Sequence, residues 1–221
     1  MQFVFVGAGD FAVEVATYLS DISRDQEGSK VLITDIVSTH TPRAGDIASL
    51  LGCAPVVRPE LCEVPELHDK QCVVCIGDPA ARYRVLNEID RLGGRLGSVI
   101  HPTAYVAGSA QIASGCIIGP MAFVGPFARL GRNCAVNVQA AVGHDVVLGE
   151  CTVMSPGSKI NGNGKTGEAV FLGAGAVMSP KVSLSAFSKL SAGSVLTRSA
   201  DEEGLLMHGN PASGRRMFRK P

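Results

Sequence analysis

At 221 residues the chain has room for two modest domains, and its charge divides between them: residues 1–100 carry nine Lys and Arg against fourteen Asp and Glu, residues 101–221 eleven against six. Overall neutrality therefore hides an acidic and a basic half; the basic surplus suits an anionic ligand such as a phosphorylated cofactor but is too diffuse for a nucleic-acid surface. Seven cysteines, an odd number without framework spacing, argue against a disulfide scaffold and for a reducing compartment. The apolar opening from Gln2 to Val6 is too short for a signal peptide or a membrane span, so the cytoplasm is the expected location.

Gln2 to Val6 reads as a buried strand, followed by Gly7-Ala-Gly-Asp10 and a helical pattern from Phe11 to about Leu19. Val31 to Thr34 reads as a second strand ending at Asp35, and Cys72 to Ile76 as a third. Pro79 to about Leu92 is a helix with proline in its first turn, and Leu96 to Ile100 a last strand before His101-Pro102. Cys72 and Cys75 form a C-x-x-C, but within an apolar run that reads as a buried strand and not as a redox turn. Strand alternating with helix implies a small parallel sheet flanked by helices, an α/β domain over residues 1–100.

Gly7-x-Gly9-x-x-Ala12, with Asp35 closing the next strand, is similar to a dinucleotide fingerprint, in which glycine lets the backbone approach a phosphate at a helix N-terminus. The space before residue 101 holds one mononucleotide-binding half and not two, which points to a nucleotide or nucleotide-sugar cradle. Asp35, Gly77 and Asp78 fall at the carboxyl ends of expected strands, where open α/β sheets bind ligands, and a carboxylate there accepts hydrogen bonds from ribose or sugar hydroxyls. Asp10 stands where a phosphate-binding turn favours a neutral residue. The competing reading is a tight strand-to-helix turn in a domain that only supports the rest.

From Val106 to Leu196 every sixth residue is aliphatic or Met, with Thr166 the single exception among sixteen, and the residue two places earlier is always small or β-branched. A period of six fits neither a helix nor a plain strand, so short strands must be broken by turns at a fixed interval, the signature of a parallel β-helix over 101–198. Stacked coils about 4.8 Å apart place each aliphatic residue over its counterpart. Gly or Asn at the corners is expected to take the backbone angles other residues resist. Cys116 and Cys134, three hexapeptides apart, stack as small core residues. Residues 199–221 read as a tail.

Of five histidines, His40, His68, His101 and His208 fall in connections, the domain junction or the tail. His144 lies on the outward side of the rod near a corner, and Asp145 beside it is the only formal charge between Arg132 and Glu150. An exposed imidazole beside a carboxylate is a plausible general base, since imidazole titrates near working pH and the acid orients the ring and stabilises the imidazolium. The bland alternative is an ordinary surface histidine. No second His, Cys or acid sits at zinc-ligand spacing, which removes a carbonic anhydrase of the β-helical class.

On Asn137-Val-Gln-Ala-Ala-Val-Gly-His-Asp-Val-Val-Leu-Gly149, Gly209-Asn-Pro-Ala212 and the order of the two domains, the chain resembles the NeuD/PglD-type sugar acyltransferases of the hexapeptide superfamily, which combine a Rossmann-like domain with a left-handed β-helix. The resemblance implies transfer of an acyl group, usually acetyl, from acetyl-CoA to an amino or hydroxyl group of a sugar, often a nucleotide-linked one. It makes His144 the general base, Asp145 its partner, and Asn137 a neighbour of the acceptor. It further implies a homotrimer with coenzyme A between adjacent rods, its pantetheine arm along Gly173-Ala174 and Ala192-Gly193 and its phosphates near Arg215, Arg216, Arg219 and Lys220. The chain departs from the pattern at Phe11, where many relatives carry histidine, and at Val153, where some do. N-acetylation of a nucleotide-linked amino sugar is the leading expectation and sugar O-acetylation the runner-up. A non-catalytic nucleotide-sugar-binding trimer is the alternative of another class, while an NAD-dependent enzyme lacks the second nucleotide half.

Overall fold

The computed structural model describes residues 2–25, 32–40 and 43–217; Val31, Arg219 and Lys220 lie outside these. Five strands, β1 (Gln2–Val6), β2 (Leu32–Val37), β3 (Val56–Arg58), β4 (Gln71–Val74) and β5 (Arg95–Leu96), form a parallel sheet in the order β3-β2-β1-β4-β5. Both faces are covered, which is why β1 and β4 read as unbroken apolar runs. Phe3, Phe5, Ile33, Ile36 and Val73 pack beneath α1 (Asp10–Asp25) and α2 (Ala44–Leu51), while Val4, Val6, Val37, Cys72 and Val74 pack beneath α3 (Pro79–Arg91) and the turns at Leu61 and Leu67. Cys72 and Cys75 thus serve opposite faces of the sheet, and burial pushes the Cys72 thiol up to about 12, so the C-x-x-C is no redox turn. The helix after β4 starts where expected because Asp78 caps it, accepting from Ala81 N–H at 2.9 Å, with Pro79 next.

The rod is built of two-residue strands that recur every six residues and stack every eighteen into three parallel sheets. We call these the first face (Val99–Ile100 to Lys189–Leu190), the second (Tyr105–Val106 to Val195–Leu196) and the third (Gln111–Ile112 to Ser183–Leu184). The expected last strand before His101 is split: Leu96 closes the N-terminal sheet, whereas Val99–Ile100 pair with Ile117–Ile118 and open the rod. Ile100 is the hexapeptide row continued one step backwards. Inside, the aliphatic row stacks beside Cys116, Ala122, Ala128, Cys134, Ala140 and Val146. Thr166 is tolerated in that row because its hydroxyl lies 3.1 Å from both Thr152 Oγ1 and the Gly149 N–H, leaving no buried polar atom unpaired.

The corners differ from the sequence expectation. The glycines that follow the aliphatic row, such as Gly149 and Gly167, are required because a Cβ there would lie 2.3–2.4 Å from the next coil's backbone. The left-handed angles fall two residues later, mostly on residues other than glycine: Met121, Phe127, Asn133, Gln139, Asp145 and Cys151 among them. Each costs about 1–2 kcal/mol in isolation. The compensation is an N–H···O bond between coils, such as Asp145 N–H to Pro126 O at 3.0 Å, which makes the strained angle part of the stacking. The residue just before the left-handed position has no intercoil bond for its N–H, which explains why proline stands there at 120, 126, 156 and 180.

The N-terminal domain lies on the outer side of the first face, whose Ile117, Ala135 and Val153 are buried. Arg82, wholly buried on α3, joins the two halves, donating to Val74 O, Ile76 O, Asn133 O and Asn133 Oδ1. Bidentate Arg132–Asp90, Lys189–Asp78 and an edge-on Tyr83–Phe187 pair flank it. The expected tail is in part a hairpin: Leu205–Gly209 pairs in parallel with Lys189–Leu190, extends the first face and turns back into Ala212–Arg216. Among the described residues no helix is long and apolar enough to cross a membrane.

Candidate active site

His144 stands at the corner between the second and third faces, on the edge opposite the N-terminal domain. It occupies the corner position that proline takes one coil below, at Pro126, and glycine one coil above, at Gly162. Its imidazole lies flat over Gly162: a Cβ there would come within 2.3 Å of Nε2 and 2.5 Å of Cε1. Nδ1 is 2.8 Å from Asp145 Oδ2, and the left-handed angle of Asp145 (φ +56) turns its carboxylate back towards the ring. A carboxylate only accepts, so the arrangement assigns the proton to Nδ1 and the lone pair to Nε2. Nε2 has no hydrogen-bond partner among the described residues, and the ring is more than half exposed. A proton acceptor held in one tautomer on a rigid edge, with its free nitrogen facing outward, is fit for general-base work.

The other expected site residues lie elsewhere. Asn137, Gly173-Ala174 and Ala192-Gly193 share the edge between the first and second faces, a full face away from His144. The backbone N–H groups of Ala174 and Ala192 donate to nothing among the described residues, and no Cβ fits at Gly173, which lies against Ala192 N. The Asn137 side-chain amide likewise has no partner among the described residues; Tyr18 from α1 reaches the same edge, its phenol pushed up to about 12 by burial and by Glu14.

In the N-terminal domain Gly7 has φ +110 and backs onto Cys75 O, so the fold alone demands glycine there. Gly9 faces open space at the start of α1, and Asp10 is paired with Arg43, which offsets the charge expected to disfavour a phosphate. Asp35 corrects the sequence reading. β2 runs on to Val37, so Asp35 lies inside the strand, buried, with Arg58 Nε at 2.6 Å and Lys70 Nζ at 2.8 Å. Burial alone would raise its pKa, but the bonds from Lys70, Arg58 and Thr34 hold it below the ordinary carboxylate value. It is a structural, ion-paired carboxylate; removing Arg58 and Lys70 together would cost about 3–5 kcal/mol by leaving a buried charge uncompensated. Gly77 and Asp78 do lie past the end of β4, exposed, although Asp78 is shared between the α3 cap and Lys189. Phe11 packs partly into the core beneath α1, and Val153 is buried on the first face. Gly162 was not singled out from the sequence, though its signal was there: it is one coil, eighteen residues, beyond His144.

The fold is thus a three-sided hexapeptide rod with a histidine–carboxylate pair on one edge and a small parallel α/β sheet on the opposite face. Solved structures that share this arrangement include sugar N-acetyltransferases, and the resemblance to the NeuD/PglD type is borne out, left-handed β-helix included. A histidine variant of perosamine N-acetyltransferase from Caulobacter crescentus, in complex with CoA and GDP-perosamine, is 26% identical, with 97% of each chain covered and a TM-score of 0.82. The acetyltransferase domain of PglB from Neisseria gonorrhoeae, in complex with acetyl coenzyme A, is 25% identical over 97% of this chain and 98% of that one, with a TM-score of 0.83. WeeI from Acinetobacter baumannii, 20% identical over 97% of this chain and all of the other with a TM-score of 0.78, shares the fold. No family model and no curated protein matches the chain.

Proposed function

We propose that this chain transfers the acetyl group of acetyl-CoA to an amino group of a nucleotide-linked sugar. The observation that carries the reading is His144, its Nδ1 held by Asp145 and its Nε2 free, within a fold shared along nearly the whole chain with N-acetyltransferases that hold CoA, acetyl-CoA or GDP-perosamine. The amine attacks the thioester carbonyl as Nε2 takes its proton, and Asp145 stabilises the imidazolium. The tetrahedral oxyanion, held by backbone N–H groups, then collapses to the amide, and the departing CoA thiolate takes the proton back from His144. Ala174 and Ala192, with free N–H groups beside Gly173 and Gly193, suit the carbonyls of the pantetheine arm. Arg215 and Arg216 on the hairpin suit the cofactor's phosphates.

The working unit in this reading is a homotrimer. His144 lies on the edge opposite its own N-terminal domain and a face away from Ala174 and Ala192, so one chain cannot bring nucleotide sugar, CoA and base together. The second face between those edges exposes Tyr105 and Phe123, stacked at 5.2 Å, with Met121 and Phe127 at its corners, all between 41% and 64% exposed. Phe123→Glu would place a charge in that apolar face; light scattering is expected to show monomers, with acetyl transfer lost. A variant that remains assembled and active would remove the second face from the interface. Seven free thiols, five of them buried, fit a cytoplasmic setting.

Thiol release from acetyl-CoA against a panel of nucleotide-linked amino sugars tests the chemistry, with mass spectrometry to separate amide from ester. An amide product from one amino sugar is expected. An ester product would transfer the reading to O-acetylation, and binding of nucleotide sugar without turnover would leave only a binding protein.

A further inference from the structure

A cavity of about 390 Å³ in the N-terminal domain opens at the carboxyl ends of β1, β2 and β3, on the sheet face covered by α3. That volume is within the range of small-molecule sites, and the place is where open α/β folds seat a nucleotide base. Its walls are apolar: Val6 and Val37 from the sheet, Pro59 and Leu61 from the turn after β3, and Val85 from α3. Its polar groups are Ser38 and two carboxylates, Glu60 and Glu88, on opposite walls. Neither glutamate has a cationic partner among the described residues: Glu60 accepts only from the Cys62 thiol at 3.4 Å, and no ion pair includes Glu88. Val6 leads directly into Gly7, so the slot adjoins the turn at the start of α1, where Gly9 leaves the backbone uncovered.

An apolar slot edged by two carboxylates accepts hydrogen bonds and offers none of its own from those groups. Phosphates are therefore excluded from this end and belong towards α1, while the slot suits a flat ring with adjacent N–H donors. Guanine presents such an edge, with N1–H and the 2-amino group side by side, matching the two acceptor oxygens of a carboxylate. Uracil and thymine flank their single N–H with carbonyls, which a carboxylate repels; cytosine and adenine pair their amino group with a ring acceptor. We infer that the cavity is a guanine-selective base site, so that the acceptor is carried on a guanosine diphosphate. This rests on the reading of the chain as a nucleotide-sugar acetyltransferase and names the nucleotide.

Binding of GDP, inosine diphosphate, UDP, CDP and ADP to the full chain, followed by calorimetry, tests it together with Glu60→Gln and Glu88→Gln. GDP is expected to bind at least tenfold more tightly than UDP or CDP, and inosine diphosphate, which lacks the 2-amino group, to fall about tenfold below GDP, the scale of one lost charge-assisted bond. At least one Gln variant should lose GDP affinity by a similar factor while its melting temperature without ligand stays put. Tighter binding of UDP or CDP, no binding of any nucleotide, or unchanged GDP affinity in both variants would overturn the inference. Amide formation on a uridine-linked amino sugar would sink the guanine assignment yet leave the acetyltransferase standing; GDP binding with no acceptor acetylated would do the reverse.

Discussion

His144→Ala lowers kcat by about 10²–10⁴-fold in the thiol-release assay, the range that a positioned general base contributes. The side chain is more than half exposed and packs into no core cluster, so its loss opens no cavity and the melting temperature stays near that of the wild type. An inactive but folded variant therefore separates a chemical role from a structural one. Asp145→Asn is expected to retain only part of the activity, because a neutral amide stabilises the imidazolium less than a carboxylate does. Equal activity of wild type and His144→Ala would sink the catalytic assignment and favour the nucleotide-sugar-binding reading.

Gly162→Ala is the second large effect, and it touches neither member of the pair. The new methyl group would occupy the place of the imidazole, 2.3 Å from Nε2. A histidine ring at the end of two rotatable bonds moves away more easily than a β-helix coil distorts, so the fold is kept and the base is displaced. Misplacement of about 1 Å at a reacting centre costs on the order of 10²-fold in rate. The expected signature is a fall in kcat with little change in melting temperature or in CoA affinity. Gly149→Ala is the contrasting case: its Cβ would meet the Gly167 backbone at 2.3 Å, so stability falls and the loss of activity follows unfolding. Should Gly162→Ala keep full activity, the ring's place over the next coil has no part in catalysis.

Much of this molecule is legible in order of residues alone. The hexapeptide row from Val106 to Leu196 determines the rod, because a period of six sustained over many coils has a single way to bury its aliphatic side chains, and Ile100 extends the same row. The strand–turn–helix at Gly7 and the Asp78-Pro79 helix start are local signals set by backbone angles and caps, and they stand where the sequence puts them. His144 beside Asp145 is likewise a local pair. What the sequence could not decide are relations between distant residues. Asp35 carries the same charge whether it meets a ribose or Arg58 and Lys70, and only the packing of β3 and the turn before β4 against β2 settles that it is buried and paired. Arg82 looks like any surface arginine of an amphipathic helix until the first face of the rod closes over it and Asn133 takes its donors. The edge on which each residue falls depends on where its coil is counted from, and that count places His144 opposite its own N-terminal domain. The sequence by itself therefore determined the rod, the α/β half before it and the histidine–carboxylate pair. Tertiary structure alone decided which charges are structural, which glycine lies under the imidazole, and that the expected site residues fall on separate edges, because burial and juxtaposition arise only when distant segments pack.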